Sequence, residues 1–181
     1  MPRLRTDDPK ARIQQVALEL FAERGVQQTS LRDIADRLGV TKPALYYHFA
    51  SREDLLNSLV QPLIDDFDAY VTAQEAAAPV GPQDLLTSYF DLAHRNRWLI
   101  QILLRDLAVL TELKLASRMM AWRARLTELL IGPTPTLDAK VRAMVALGGL
   151  SDSAVMFDDE PLEVLRTAAV AAATDCLGTS G

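Results

Sequence analysis

Cysteine is almost missing from this chain of 181 residues: Cys176 is the only one. No disulfide can form within the chain, which points away from oxidised secreted scaffolds and toward a reducing cytoplasm. Histidine is nearly as scarce, with only His48 and His94. Metal clusters and multi-histidine catalytic sites therefore have little to draw on. Apolar runs are short and broken by charge, so no membrane span of roughly 20 residues is expected. The N-terminus lacks the apolar core of a signal peptide. Alternating Val/Ile/Thr runs are almost absent, which excludes a mainly β architecture. No glycine-rich phosphate loop, paired-cysteine spacing or nucleophile elbow occurs. The one conceivable dyad, His94 with Asp91, has no nucleophile assigned. Neither an enzyme nor a cofactor or metal site is expected.

What is present is helix-forming sequence, with 49% apolar residues to build a core. The expected class is all-α. The net charge of −5 argues against coating nucleic acid through bulk charge. That average hides a division. Residues 1–56 carry nine Lys+Arg against eight Asp+Glu, whereas residues 57–181 carry ten against sixteen. The acidic excess is confined to the longer, C-terminal part.

The most informative stretch is Ser30–Arg52. Ser30 and Asp33 have the spacing of a capping box. Leu31, Ile34, Ala35 and Leu38 follow the rhythm of one apolar helix face, and Gly39 stops that helix. Thr41 can cap a second helix, with Pro43 in its first turn. Leu45 and Phe49 supply its inward face and leave Tyr46, Tyr47 and His48 free to face out. Ser51 with Asp54 is a second capping box, opening a further helix. Two short helices joined by a glycine turn make a helix-turn-helix, whose second helix reads the major groove.

Before this stretch, residues 1–6 form a basic arm with Arg3 and Arg5, and Asp8-Pro9 starts a helix that Gly25 ends. Ile13, Val16, Ala17, Leu20 and Phe21 are its buried stripe. A core of Val16, Leu20, Phe21, Leu31, Ile34, Leu38, Leu45 and Phe49 can close the three helices. The helix after Ser51 is expected to reach about Ala73, with Pro62 kinking or breaking it. Residues 74–83 form a loop. Helices then follow over about 83–94, 97–109, 111–131, 137–155 and 161–176. Small residues on the last helix, among them Ala168, Ala172 and Ala173, suit close approach of another helix.

Ala11–Leu56 resembles the DNA-binding domain of the TetR (tetracycline-repressor-like) family of bacterial regulators. The residues that carry the resemblance are Ala17, Phe21 and Gly25, then Thr29–Ala35, Leu38–Lys42, Leu45–Phe49 and Ser51–Leu55. It implies an N-terminal three-helix helix-turn-helix domain over 1–56. A C-terminal helical ligand-binding and dimerisation domain would occupy 57–181. It also implies a homodimer paired through the last two helices, double-stranded DNA with a near-palindromic operator as partner, and a small-molecule effector. The chain is then a cytoplasmic transcriptional regulator, most simply a repressor released by its ligand. The alternative is a helix-turn-helix protein acting by protein interaction or as an architectural DNA binder.

For DNA, the resemblance singles out Arg32, whose fork matches two guanine acceptors. It adds Thr41 and Lys42 at the start of the reading helix, Tyr47 and His48 as phosphate contacts, and Tyr46, packed partly under the helix with its hydroxyl reaching DNA. Arg52 stands where the family usually has lysine, keeping the charge for phosphate. Pro43 and Ala44 depart from the family's glycine and hydroxyl residue; Ala44 retains only a methyl that can meet a thymine methyl. The candidate effector pocket draws on large or polar residues of otherwise apolar helices: Tyr89, Phe90, His94, Trp98, Arg105, Met119, Trp122, Arg123, Met144 and Phe157.

Overall fold

The computed structural model describes residues 8–77, 79–157 and 159–178, and all ten elements in them are helices. The basic arm over 1–6 lies outside the described residues. Helix α1 spans Pro9–Arg24. The Asp8 carboxylate accepts from the Lys10 amide at 2.9 Å, and Gly25 ends the helix at a φ of 87°. Such a positive φ is open to glycine at little cost.

Helices α2 (Leu31–Leu38) and α3 (Lys42–His48) form the expected pair. The capping box at Ser30 is complete: its hydroxyl accepts from the Asp33 amide at 3.2 Å, and Asp33 Oδ2 accepts from the Ser30 amide at 2.8 Å. Gly39 adopts the left-handed conformation that closes α2. Thr41 takes the N-cap position of α3, but its hydroxyl makes no capping bond. The backbone alone turns the chain here, with Pro43 fixing φ in the first helical turn. α1 packs on α2, and α2 on α3. Leu20, Phe21, Leu31, Ile34, Leu45 and Phe49 are buried as expected, together with Val26, which no periodicity marked. Val16 and Leu38 stay half-buried at the margin.

Helix α4 runs unbroken over Arg52–Ala76 with Pro62 inside it. Proline thus costs one hydrogen bond without ending the helix, and the helix consumes the start of the expected loop. At its beginning Asp54 accepts from the amide of Ala50 rather than Ser51, at 3.0 Å. The remaining helices are α5 (Pro82–Arg95), α6 (Arg97–Leu104), α7 (Leu107–Glu112), α8 (Leu115–Ile131), α9 (Leu137–Met156) and α10 (Leu162–Leu177). The single helix expected over 97–109 is therefore two. Asp106 caps α7 by accepting from the Val109 amide, and Lys114 at φ 52° separates α7 from α8. Dense apolar sequence on both sides concealed these breaks, and a lysine at positive φ carries no turn signal.

Two compact units result, Met1–Leu63 with Ile102–Leu113, and Ile64–Gln101 with Lys114–Gly181. The first extends past the boundary expected at 56 and takes in the segment containing α7. In the second, α9 packs against α5, α8 and α10, and α10 also packs against α5. Leu86, Phe90, Leu126, Ala143, Leu147 and Ala154 are completely enclosed. Burying a leucine or phenylalanine side chain contributes about 1.5–3 kcal/mol each.

Candidate nucleic-acid interface

The reading helix presents its functional side chains because its core needs so few of its residues. Leu45 inside α3 and Phe49 at its C-cap are buried, while Thr41–Ala44, Tyr46 and Tyr47 are exposed. Tyr47 is 87% exposed and Tyr46 42%. A large aromatic left in water at that level contributes little to the core and is open to a partner. His48 is half-buried, and its ring meets Tyr47 edge-on with centroids 5.3 Å apart. The Lys42 ammonium lies over the Tyr46 ring at 5.4 Å, a cation–π contact at the helix start. Lys42 with Tyr46, and Tyr47 with His48, are thus cationic and aromatic pairs on the sides of α3 that its core leaves free. Phosphate oxygens accept from such ammonium, phenol and imidazole donors.

Arg32 sits in the first turn of α2, the helix before the reading helix. Its one ion pair among the described residues, Nε to Asp36 Oδ2 at 3.7 Å, is at the surface. Pairs of this kind contribute little and release their arginine readily. By contrast Arg37 is held in a forked pair with Glu23, at 3.1 and 2.8 Å. Arg24 pairs with Asp33 at 3.6 Å. These latter pairs tie α1 to α2, leaving Arg32 as the available arginine of α2. Asp33 is itself held below its usual carboxyl value, first by the Ser30 hydroxyl, then by the Ser30 amide.

Arg52 departs from the expected phosphate contact. Its Nη2 donates to the Val26 carbonyl at 2.9 Å, and Nε is buried. The side chain faces inward because the α1–α2 corner offers it a carbonyl. Ala44 lines a groove of about 370 Å³ with Asp8, Pro9, Arg12, Ile13, Leu38, Val40, Leu45 and His48. Arg12 and the exposed Val40 are not among the candidate DNA contacts: Val40 enters the sequence pattern only as part of the turn motif, and Arg12 is one of the polar positions of α1.

The candidate effector residues occupy different surroundings. Tyr89, Phe90 and Trp122 are buried. Phe67, not among the candidates, stacks on Trp122 at 4.9 Å and meets Tyr89 edge-on at 6.4 Å. The Trp122 indole donates to Asp68 Oδ1 at 2.6 Å, and Arg118 donates to Asp68 Oδ2 at 3.3 Å. His94 stacks on Phe90 and lies 3.3 Å from the Ala154 carbonyl. Arg123 donates to the Ser151 hydroxyl at 3.0 Å. Trp98 and Met119 are half-buried. Met144 and Phe157 face solvent at 70% and 55% exposure, and Arg105 belongs to the first compact unit. Tyr89, Phe90, His94 and Trp122 are thus core or core-edge residues, and the ten do not share one environment. No group of acidic, histidine or cysteine side chains arranged to hold a metal occurs among the described residues. Nor, among those residues, is any helix long and apolar enough to cross a membrane.

Comparisons with known proteins agree with this geometry. Residues 13–59 match the family model described as bacterial regulatory proteins of the tetR family. A transcriptional repressor of Mycobacterium tuberculosis, KstR2, is 43% identical over 51 residues, 28% of this chain and 26% of that protein. The chain thus aligns with about a quarter of that relative's length. The regulator TtgR of Pseudomonas putida is 36% identical over 75 residues, 41% of this chain and 36% of the relative. Among solved structures, that of the ketosteroid transcriptional regulator KstR2 of M. tuberculosis superimposes with a TM-score of 0.73. That match covers 96% of this chain and 95% of the other at 21% identity, a likeness of fold. Residues 13–59 thus match the DNA-binding domain of the tetR family of bacterial regulatory proteins, within a chain whose helical fold is like that of a solved regulator.

Proposed function

We propose that this regulator is a homodimeric repressor that binds a near-palindromic operator and leaves it when a small molecule binds. The observation that carries the DNA-binding part is the exposed set Lys42, Tyr46 and Tyr47 on α3, with His48 against Tyr47, together with a weakly paired, exposed Arg32 on α2. Lys42, Tyr47 and His48 contact phosphate, with Tyr46 and the uncapped Thr41 hydroxyl beside them. Arg32 reads a guanine edge. Pro43 and Ala44 face the groove without donating hydrogen bonds. Residues 1–56 hold the DNA-binding function, and residues 57–181 hold dimerisation and ligand response.

Dimerisation is supported by an apolar face of α9 left uncovered by the chain. Leu137, Val141, Met144 and Val145 are 78%, 52%, 70% and 56% exposed, and Val164 on α10 is 62% exposed. Positions spaced by four, seven and eight residues lie on one helix face. Paired through these two helices, two protomers place their reading heads on successive major grooves, about 34–36 Å apart in the simplest case. The effector step is supported by the family's character and by the aromatic cluster of Phe67, Tyr89 and Trp122. The protein acts in the cytoplasm, on the nucleoid when bound to DNA.

Selection of bound duplexes from random DNA tests this reading, followed by a small-molecule screen for release. Enrichment of one near-palindromic sequence is expected. A purified dimer that prefers no duplex over random DNA would overturn it.

A further inference from the structure

Arg52 opens α4, and its guanidinium is turned into the protein. Nη2 donates to the Val26 carbonyl at 2.9 Å. Nε is buried with no hydrogen-bond partner among the described residues. Burying a donor unpaired is costly, so the surroundings hold this orientation against a penalty. The Val26 carbonyl is the hub of the corner between α1 and α2, since it also accepts from the Thr29 amide at 3.2 Å. Thr29 is buried, and its hydroxyl donates to the Gly25 carbonyl at 2.9 Å. The next residue, Ser30, caps α2, and Arg32 lies in that helix's first turn. A short series of hydrogen bonds and one peptide link therefore connects the start of α4 to the start of α2. Farther along α4, Gln14 of α1 donates to the Ser58 hydroxyl at 3.0 Å, tying α4 to the same framework.

We propose that Arg52 is a positioning residue for base reading. It fixes the α1–α2 corner, and through it the first turn of α2 that carries Arg32, and it makes no phosphate contact. This rests on the DNA-binding reading above. Arginine suits the task better than lysine: its guanidinium is more weakly hydrated and directs donors in a rigid plane, whereas an ammonium is a strongly hydrated point charge.

The test uses the full chain as wild type, Arg52→Met, Arg52→Lys, Arg32→Ala and the Arg32→Ala/Arg52→Met double variant. Affinity for the selected operator and for an unrelated duplex is measured across a salt series. Arg52→Met is expected to lower the operator preference about tenfold, the lower end of one bidentate base contact. Its salt slope stays that of wild type. In the Arg32→Ala background the same substitution has much less effect on preference, because the residue it positions is gone. Arg52→Lys repeats the loss of preference, and carries the test at low temperature if Arg52→Met does not fold. A salt slope reduced by about 0.9, with preference intact and lysine restoring the slope, would make Arg52 a phosphate contact and overturn the proposal. A lowered melting temperature with preference and slope both intact would also overturn it, leaving a purely structural role. A wild type with no operator preference would overturn the DNA-binding reading itself, a result visible before any variant is compared.

Discussion

Arg32 and Lys42 are two cations proposed to divide the work of binding between base and phosphate. Arg32 has a forked head and an exposed partner that gives it up easily. Arg32→Ala should cost about 1–3 kcal/mol against one base pair of the operator and little elsewhere. Lys42 is a point charge at the start of α3, and Lys42→Ala should weaken binding on every sequence and reduce the salt slope by about 0.9. Fluorescence anisotropy on operator variants at several salt concentrations separates the two; a sequence-independent loss for Arg32→Ala would reassign it to the backbone. Asp33 contributes before any DNA is present. Its carboxyl is lowered from 3.8, mainly by the Ser30 hydroxyl. A lowered folded value means the cap stabilises the protein above pH 3.8 and loses that contribution as pH falls through the folded value. Asp33→Asn should therefore melt below wild type at pH 7, with the gap closing in acid; a gap independent of pH would count against this account.

Among the helices, α4 and α5 are joined by the half-buried phenol of Tyr70. Tyr70 donates to the Leu85 carbonyl at 2.8 Å and shares a hydrogen bond with the Ser88 hydroxyl at 3.1 Å. Burial pushes its ionisation up from 10.0 to about 12, with the Ser88 contact pulling the other way. The raised value sets the sign: the neutral phenol favours the fold fully below pH 10, and that contribution is lost as pH rises toward about 12. Phenolate absorbance should show a late step that vanishes in Tyr70→Phe, and the variant should lose less melting temperature between pH 9 and 12 than wild type. A late step that survives the substitution would belong to another tyrosine. The α6–α7–α8 region shows the opposite situation. Its breaks rest on one aspartate cap and one lysine at φ 52°, neither distinguishable in sequence from a solvated helix face.

For the molecule as a whole, the decisive surface is the uncovered face of α9. Val145→Glu places a charge where a partner's apolar side chains are proposed to pack, and isolated apolar residues at 56% exposure tolerate such a change at little cost in folding. Sedimentation should show a shift from dimer to monomer with the melting profile of the protomer retained, and operator affinity should fall with it. A variant that remains dimeric would move the interface off α9. The reading head was legible because capping box, glycine stop and helix-opening proline recur within a few residues, each with its own local cause. The candidate effector residues had no such local signal: Tyr89, Phe90 and Trp122 read in sequence like any core residue, and they are buried in the structure.

Local chemistry was therefore enough for α1, α2 and α3, for the outward set Lys42, Tyr46 and Tyr47, and for the all-helical class. Each depends on interactions within a few residues, where side-chain type and spacing decide the outcome. Tertiary structure alone decided the direction of Arg52, whose partner Val26 lies 26 residues earlier. It decided likewise the separation of buried Trp122 from exposed Met144, both apolar residues on helices. Which carbonyl lies within reach, and which helix covers a face, are set only when distant segments pack together.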